Sequence, residues 1–122
     1  MTTPRRVLKS KSFGKSAMKA GIADHELCAK IKDLGEGKGS DLTKGVYKQR
    51  LNKNMHRGVI LAKGGKYWVY QYLFAKADRE NSTDDELAWF QELAMHYANL
   101  NENQLASLIK SKDLKEIRNE KA

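Results

Sequence analysis

A chain of 122 residues with a formal charge of +8 and a pI near 9.6 can bury one core, and its surface has to be basic. A lone cysteine, Cys28, excludes an intrachain disulfide framework, and no stretch reaches the roughly 18 apolar residues of a membrane span. Arg5 and Arg6 near the N-terminus are not followed by an apolar run, so no export signal is read and a cytoplasmic location is expected.

The segment Arg5 to Ser10 reads as a short edge strand after Pro4, the only proline. From Ser12, the apolar residues Phe13, Ala17, Met18 and Ile22 recur at helical spacing. A second helix is predicted from an Asp24 N-cap, with Leu27, Cys28, Ile31 and Leu34 on its apolar stripe and Gly35 as its stop. Gly35 to Gly45 reads as a mobile basic loop. Its Gly-x-Gly pattern has no following GKS or GKT and no strand leading in, which argues against a nucleotide loop.

Three strands follow, over Val46 to Leu51, Arg57 to Lys63 and Tyr67 to Ala75, the last two joined by a tight turn at Gly64-Gly65. The run Tyr67 to Phe74 is apolar at nearly every position, so it is expected as a central strand covered on both faces, with helices on one side. Thr83-Asp84-Asp85-Glu86 is a capping box opening a third helix on Leu87, Phe90, Leu93, Ala94 and Tyr97. Asn101 and Gln104 open a fourth, and the charged tail from Lys110 reads as loosely held. The fold class is therefore α+β: a helical hairpin on a small, mostly antiparallel twisted sheet with C-terminal helices. One domain over residues 1–122 is expected, its core spanning about residues 5–98 and a helical extension and tail filling 99–122.

Charge is divided unevenly. Residues 1–66 hold 16 Lys and Arg against 5 Asp and Glu, whereas 67–122 hold 7 against 10, so attraction for a polyanion resides in the first half. On the strand from Val46, a period of two places Lys48 and Arg50 on one face and Tyr47, Gln49 and Leu51 on the other. Like charges two residues apart repel and add nothing to the fold, so an anionic partner accounts for them. Arg57 opens the next strand, and Lys76 and Arg79 leave the one after it. These five meet at one sheet edge if the three strands are neighbours. The plainer reading is a solvated face that resists edge pairing. Lys44, Tyr47, Lys53 and Lys63 are the expected RNA contacts around that cluster, and Tyr70 is read as core rather than stacking platform. No His and Cys spacing completes a zinc set, no G-x-S-x-G appears, and neither metal nor cofactor is expected.

The runs Val46-Tyr47-Lys48-Gln49-Arg50-Leu51, Met55-His56-Arg57-Gly58-Val59-Ile60 and Tyr67 to Lys76, followed by Asp78-Arg79-Glu80-Asn81 and a capped helix, resemble the RelE/ParE toxin superfamily, within it RelE and HigB toxins. The likeness covers roughly residues 5–98 and is strongest over residues 46–86. It implies an endoribonuclease that cuts messenger RNA in the ribosomal A site without a metal ion, inhibits translation, and has a cognate, DNA-binding antitoxin. Carried over by position, Lys48 and Arg50 match the basic pair of the family's second strand, Arg57 the arginine opening the third, and Lys76 and Arg79 the cations after the last. The chain departs from the pattern in lacking a tyrosine soon after Arg79. ParE-like members of the superfamily poison DNA gyrase instead, and a non-catalytic basic binder is the remaining alternative. Metal-free RNA cleavage requires a base for the ribose 2′-OH, cations for the phosphorane-like charge and an acid for the leaving oxygen. Lys48 is the candidate base, Arg57 and Arg79 face the phosphate, and His56 is an alternative proton carrier.

Overall fold

The computed structural model describes residues 6–63, 67–78 and 83–117. In chain order these form β1 (Arg6–Ser10), α1 (Lys11–Ala20), α2 (Asp24–Gly35), β2 (Ser40–Asp41), β3 (Val46–Leu51), β4 (His56–Lys63), β5 (Tyr67–Ala75), α3 (Asp84–Ala98), α4 (Glu102–Lys110) and β6 (Leu114–Ile117). Among the described residues the strands make one sheet in the order β2-β3-β4-β5-β1-β6. Every pairing is antiparallel except that of β1 with β5, so the α+β class holds. The turn expected at Gly64-Gly65 lies outside the described residues.

Alternation along the strands divides the apolar side chains between two cores. Val7, Leu51, Ile60, Trp68 and Tyr70 pack against Phe13 and Ala17 of α1 and Leu27, Ile31 and Leu34 of α2. Leu8, Val46, Val59, Leu61 and Val69 pack against Phe90 and Ala94 of α3 and Leu105 of α4. Helices therefore cover both faces, not the single face expected, because a strand apolar on both sides leaves neither able to face water. Val59 pairs with Tyr72 and Ile60 with Tyr70, which makes Gln71 an extra residue in β5. This bulge inverts the alternation, so Tyr72 and Phe74 join Tyr67 and Val69 on the α3 face.

Local chemistry sets the helix ends. Ser10 closes β1 and caps α1 at once: its Oγ accepts from the Phe13 amide at 3.1 Å and donates to the Gln71 carbonyl at 3.0 Å. Gly21, at φ 74°, ends α1 in the left-handed region. Met18, expected on the apolar stripe, is 82% exposed, because the inward arc is filled by Phe13 and Ala17. The N-cap of α2 is Ala23 and not Asp24, whose carboxylate instead binds Lys9 Nζ at 2.9 Å. Burial on the α2 stripe pushes the Cys28 thiol up, with the Asp24 carboxylate adding to the rise. Both capping boxes form as the sequence indicates, Thr83 with Glu86 and Asn101 with Gln104.

Three further expectations are corrected. The glycine-rich loop contains β2, which pairs with β3, and Gly39 stands where a Cβ would lie 2.6 Å from Leu34 Cδ2. The strand β1 is interior to the sheet, because the tail expected to be loose forms β6 along its outer edge. That tail is held by Leu114 and Ile117, buried in opposite cores, and by Glu116, which accepts from Arg6 Nε at 2.8 Å and from its NH2 group at 3.0 Å.

Tyr70 is enclosed and donates its hydroxyl to the Leu27 carbonyl at 2.6 Å, and burial pushes its phenol well above the ordinary value of 10. Burial likewise pushes Tyr97 up to about 12, with Tyr67 and Asp113 adding to the rise. A raised folded-state value stabilises fully below the unfolded one and is lost as pH climbs through the folded one. Stability should therefore fall between pH 10 and about 12, with the last tyrosinate absorbance appearing together with loss of helical circular dichroism. Ionisation of all five tyrosines with helix retained would contradict this.

Candidate nucleic-acid interface

The pleat of β3 sorts its side chains as the period of two requires. Tyr47, Gln49 and Leu51 face α1 and α2: Gln49 Nε2 donates to the Lys30 carbonyl at 3.4 Å, and Tyr47 meets Trp68 edge-on at 5.3 Å. Val46 points into the α3 core, and by alternation Lys48 and Arg50 share its face. In the β3–β4 pairing Arg50 stands directly opposite Arg57, and Arg57 stands opposite Phe74 of β5, also on the α3 face. Lys48, Arg50 and Arg57 therefore share one face of adjacent strands. Arg50 and Arg57 are like charges directly opposed across the strand pair, an arrangement that costs stability unless each guanidinium finds other partners.

The two arginines differ in setting. Arg50 is exposed, whereas Arg57 is only 5% exposed. The Arg57 NH1 group donates to the carbonyls of Asn54 at 3.1 Å and His56 at 3.2 Å, gripping the loop between β3 and β4 from inside. That loop needs a grip, since Asn52, Lys53 and Asn54 all hold positive φ, at 53°, 54° and 71°. From the other face Glu26 accepts the Asn52 amide at 2.6 Å, and Asn52 Nδ2 reaches His56 Nδ1 at 3.2 Å. Because the side-chain nitrogen of Asn52 only donates, His56 Nδ1 is the acceptor.

The remaining candidate residues are distributed around this cluster. Lys76 follows β5 at the same end of the sheet, exposed, its amide donating to the Met55 carbonyl at 2.9 Å. Lys53 is exposed at the tip of the β3–β4 loop. Lys44, in the turn before β3, is at that strand's far end, away from Arg50. His56 pairs across the sheet with Leu51, so it lies on the α1 face, apart from Lys48 and Arg50. Tyr47, expected against RNA, packs in the α2-side core, because its parity opposes that of Lys48. Lys63 ends β4 and its side chain is outside the described residues, as is Arg79.

Two features went unread in the sequence: the 52% exposure of Trp89 on α3, and a cleft of about 420 Å³ between it, Tyr72 and Ser12. Neither is a matter of periodicity, since the cleft exists only because the Gln71 bulge turns Tyr72 toward α3. Among the described residues no three His, Cys, Asp or Glu side chains gather as a metal set, and no helix is long and apolar enough to cross a membrane.

A helical hairpin on a mostly antiparallel sheet, with cations opposed on the face toward the C-terminal helices, defines an α+β scaffold suited to a polyanion. Over residues 5–117 the chain matches the family model described as the RelE toxin of the RelE / RelB toxin-antitoxin system, and it belongs to that family. Membership makes it a toxin of such a system and implies an antitoxin as partner. No curated protein and no solved structure matches it significantly.

Proposed function

We propose that this toxin is an endoribonuclease that cuts messenger RNA on the ribosome and so blocks translation in the cytoplasm. The observation that supports the reading is the row Lys48, Arg50 and Arg57 on one face of β3 and β4, with Lys76 at the adjoining strand end. In this scheme the ribose 2′-oxygen attacks the neighbouring phosphorus as Lys48 takes the hydroxyl proton. The phosphorus–O5′ bond breaks, giving a 2′,3′-cyclic phosphate, and Lys76 as ammonium protonates the leaving oxygen. Arg50 lies against the non-bridging oxygens, where charge accumulates in the transition state. Arg57 holds the loop that carries Lys53, and Arg79 joins the cations on the phosphate.

The test is induction of the wild type and of Arg50→Ala in growing bacteria, followed by mapping of new 5′ ends on messenger RNA. Cuts inside translated codons that vanish in the variant are expected. Growth arrest with intact messages would overturn the RNase reading in favour of a gyrase target, and cuts that persist in Arg50→Ala would remove Arg50 from the site.

A further inference from the structure

The outward face of α1 is an arrangement the cluster on β3 and β4 does not use. Lys11, Lys15 and Lys19 succeed one another at i, i+4 and i+8, which places them within about 80° of arc on a helix that carries no acidic residue. All three are exposed, and none has an ion-pair partner among the described residues. Like charges four apart destabilise a helix and Lys11 in the first turn opposes the macrodipole; only Lys19, in the last turn, suits it. Beside it runs a second row, Ser12 and Ser16, and each of these serines lines a cleft.

Ser12 borders the cleft of about 420 Å³ whose wall is aromatic: Tyr72, Phe90 and Trp89. The Phe90 ring lies 5.9 Å from Tyr72 and 5.4 Å from Trp89, and Asp85 and Glu86 also line the cleft. Ser16 and Lys19 border a second cleft of about 520 Å³ that holds His56 and shares Tyr72 with the first. Successive lysines of the row rise about 6 Å along the helix axis, comparable with the spacing of phosphates in an extended single strand. A cationic rail beside aromatic recesses is the arrangement by which single-stranded nucleic acid is held, phosphates on the rail and bases stacked inward.

We propose that α1 and the two clefts form a single-strand RNA track, distinct from the Lys48 and Arg50 face. Lys15 and Lys19 take consecutive phosphates, one base stacks on Trp89, and the next enters the cleft beside His56. The Asp85 carboxylate at the first recess accepts hydrogen bonds, which favours a base presenting amino or imino donors there. The inference rests on the RNase reading only for the source of the strand; the track itself is defined by binding.

Full-length protein is titrated with a single-stranded oligoribonucleotide carrying 2′-O-methyl groups, which cannot be cut, while tryptophan fluorescence is followed. Trp68 is 4% exposed and Trp89 52%, so the signal reports mainly on Trp89. Saturable quenching is expected, lost in Trp89→Leu. In Lys15→Gln/Lys19→Gln the slope of log affinity against log salt should fall by about 1.4, at roughly 0.7 per phosphate released. Absence of binding overturns the track, as does binding that leaves Trp89 emission and the salt slope unchanged. Emission moved by purified antitoxin but not by RNA assigns the groove to protein and likewise overturns it. Quenching without any messenger cleavage in cells would leave the track standing and sink the RNase reading. Cleavage with unaltered binding in both variants does the reverse.

Discussion

Arg50→Ala is expected to reduce ribosome-dependent cleavage by roughly 10²- to 10³-fold, the loss typical when one donor to a transition-state charge is removed. Its unfolding free energy should stay within about 0.5 kcal/mol of wild type, because the side chain is exposed and makes no ion pair among the described residues. Arg57→Ala is expected to behave differently. The guanidinium is 5% exposed and donates to the Asn54 and His56 carbonyls, so truncation deprives those two carbonyls of their donor and loosens a loop of three left-handed residues. A loss of about 2–3 kcal/mol follows from hydrogen bonds made by a charged group, and cleavage should fall with it. Arg57→Lys should not restore stability, since an ammonium on a flexible stem lacks the planar fork that spans both carbonyls. Urea unfolding and single-turnover cleavage on purified variants separate the two. Wild-type stability in Arg57→Ala would show that the grip on the loop contributes nothing.

That division of labour was only half legible in the sequence. The period of two along Val46 to Leu51 correctly put Lys48 and Arg50 together, since pleat parity is a local property. It could not tell that Arg57 faces inward and Arg50 outward, because burial depends on what lies across the sheet. His56 reads as an alternative proton carrier beside Lys48, and the same parity rule sends it to the other face. Capping boxes at Thr83 and Asn101 were legible for the same local reason. The Gln71 bulge was not: an unbroken apolar run gives no phase against which an inserted residue can be noticed, and the aromatic cleft depends on that insertion. The lysine row on α1 is legible as spacing, but in a chain with 23 Lys and Arg such spacing alone does not mark a surface.

Removal of residues 114–122 should destabilise the protein by about 3–6 kcal/mol, taking roughly 1.5–3 kcal/mol for each of two fully buried aliphatic side chains. Leu114 and Ile117, 1% and 5% exposed, close opposite cores, but apolar positions three apart fit a helical spacing and not a strand's period of two, so nothing in this charged segment signals β6. This is why the tail read as loose. Its deletion also strips Glu116 from Arg6 and bares the outer edge of β1, whose Leu8 is fully buried in the intact sheet. An open edge beside newly exposed apolar side chains is a template for intermolecular pairing, so the shortened chain should also aggregate on warming. A midpoint equal to that of the full chain, measured by urea denaturation with light scattering followed alongside, would show that β6 carries no stability and that β1 can stand as an edge after all.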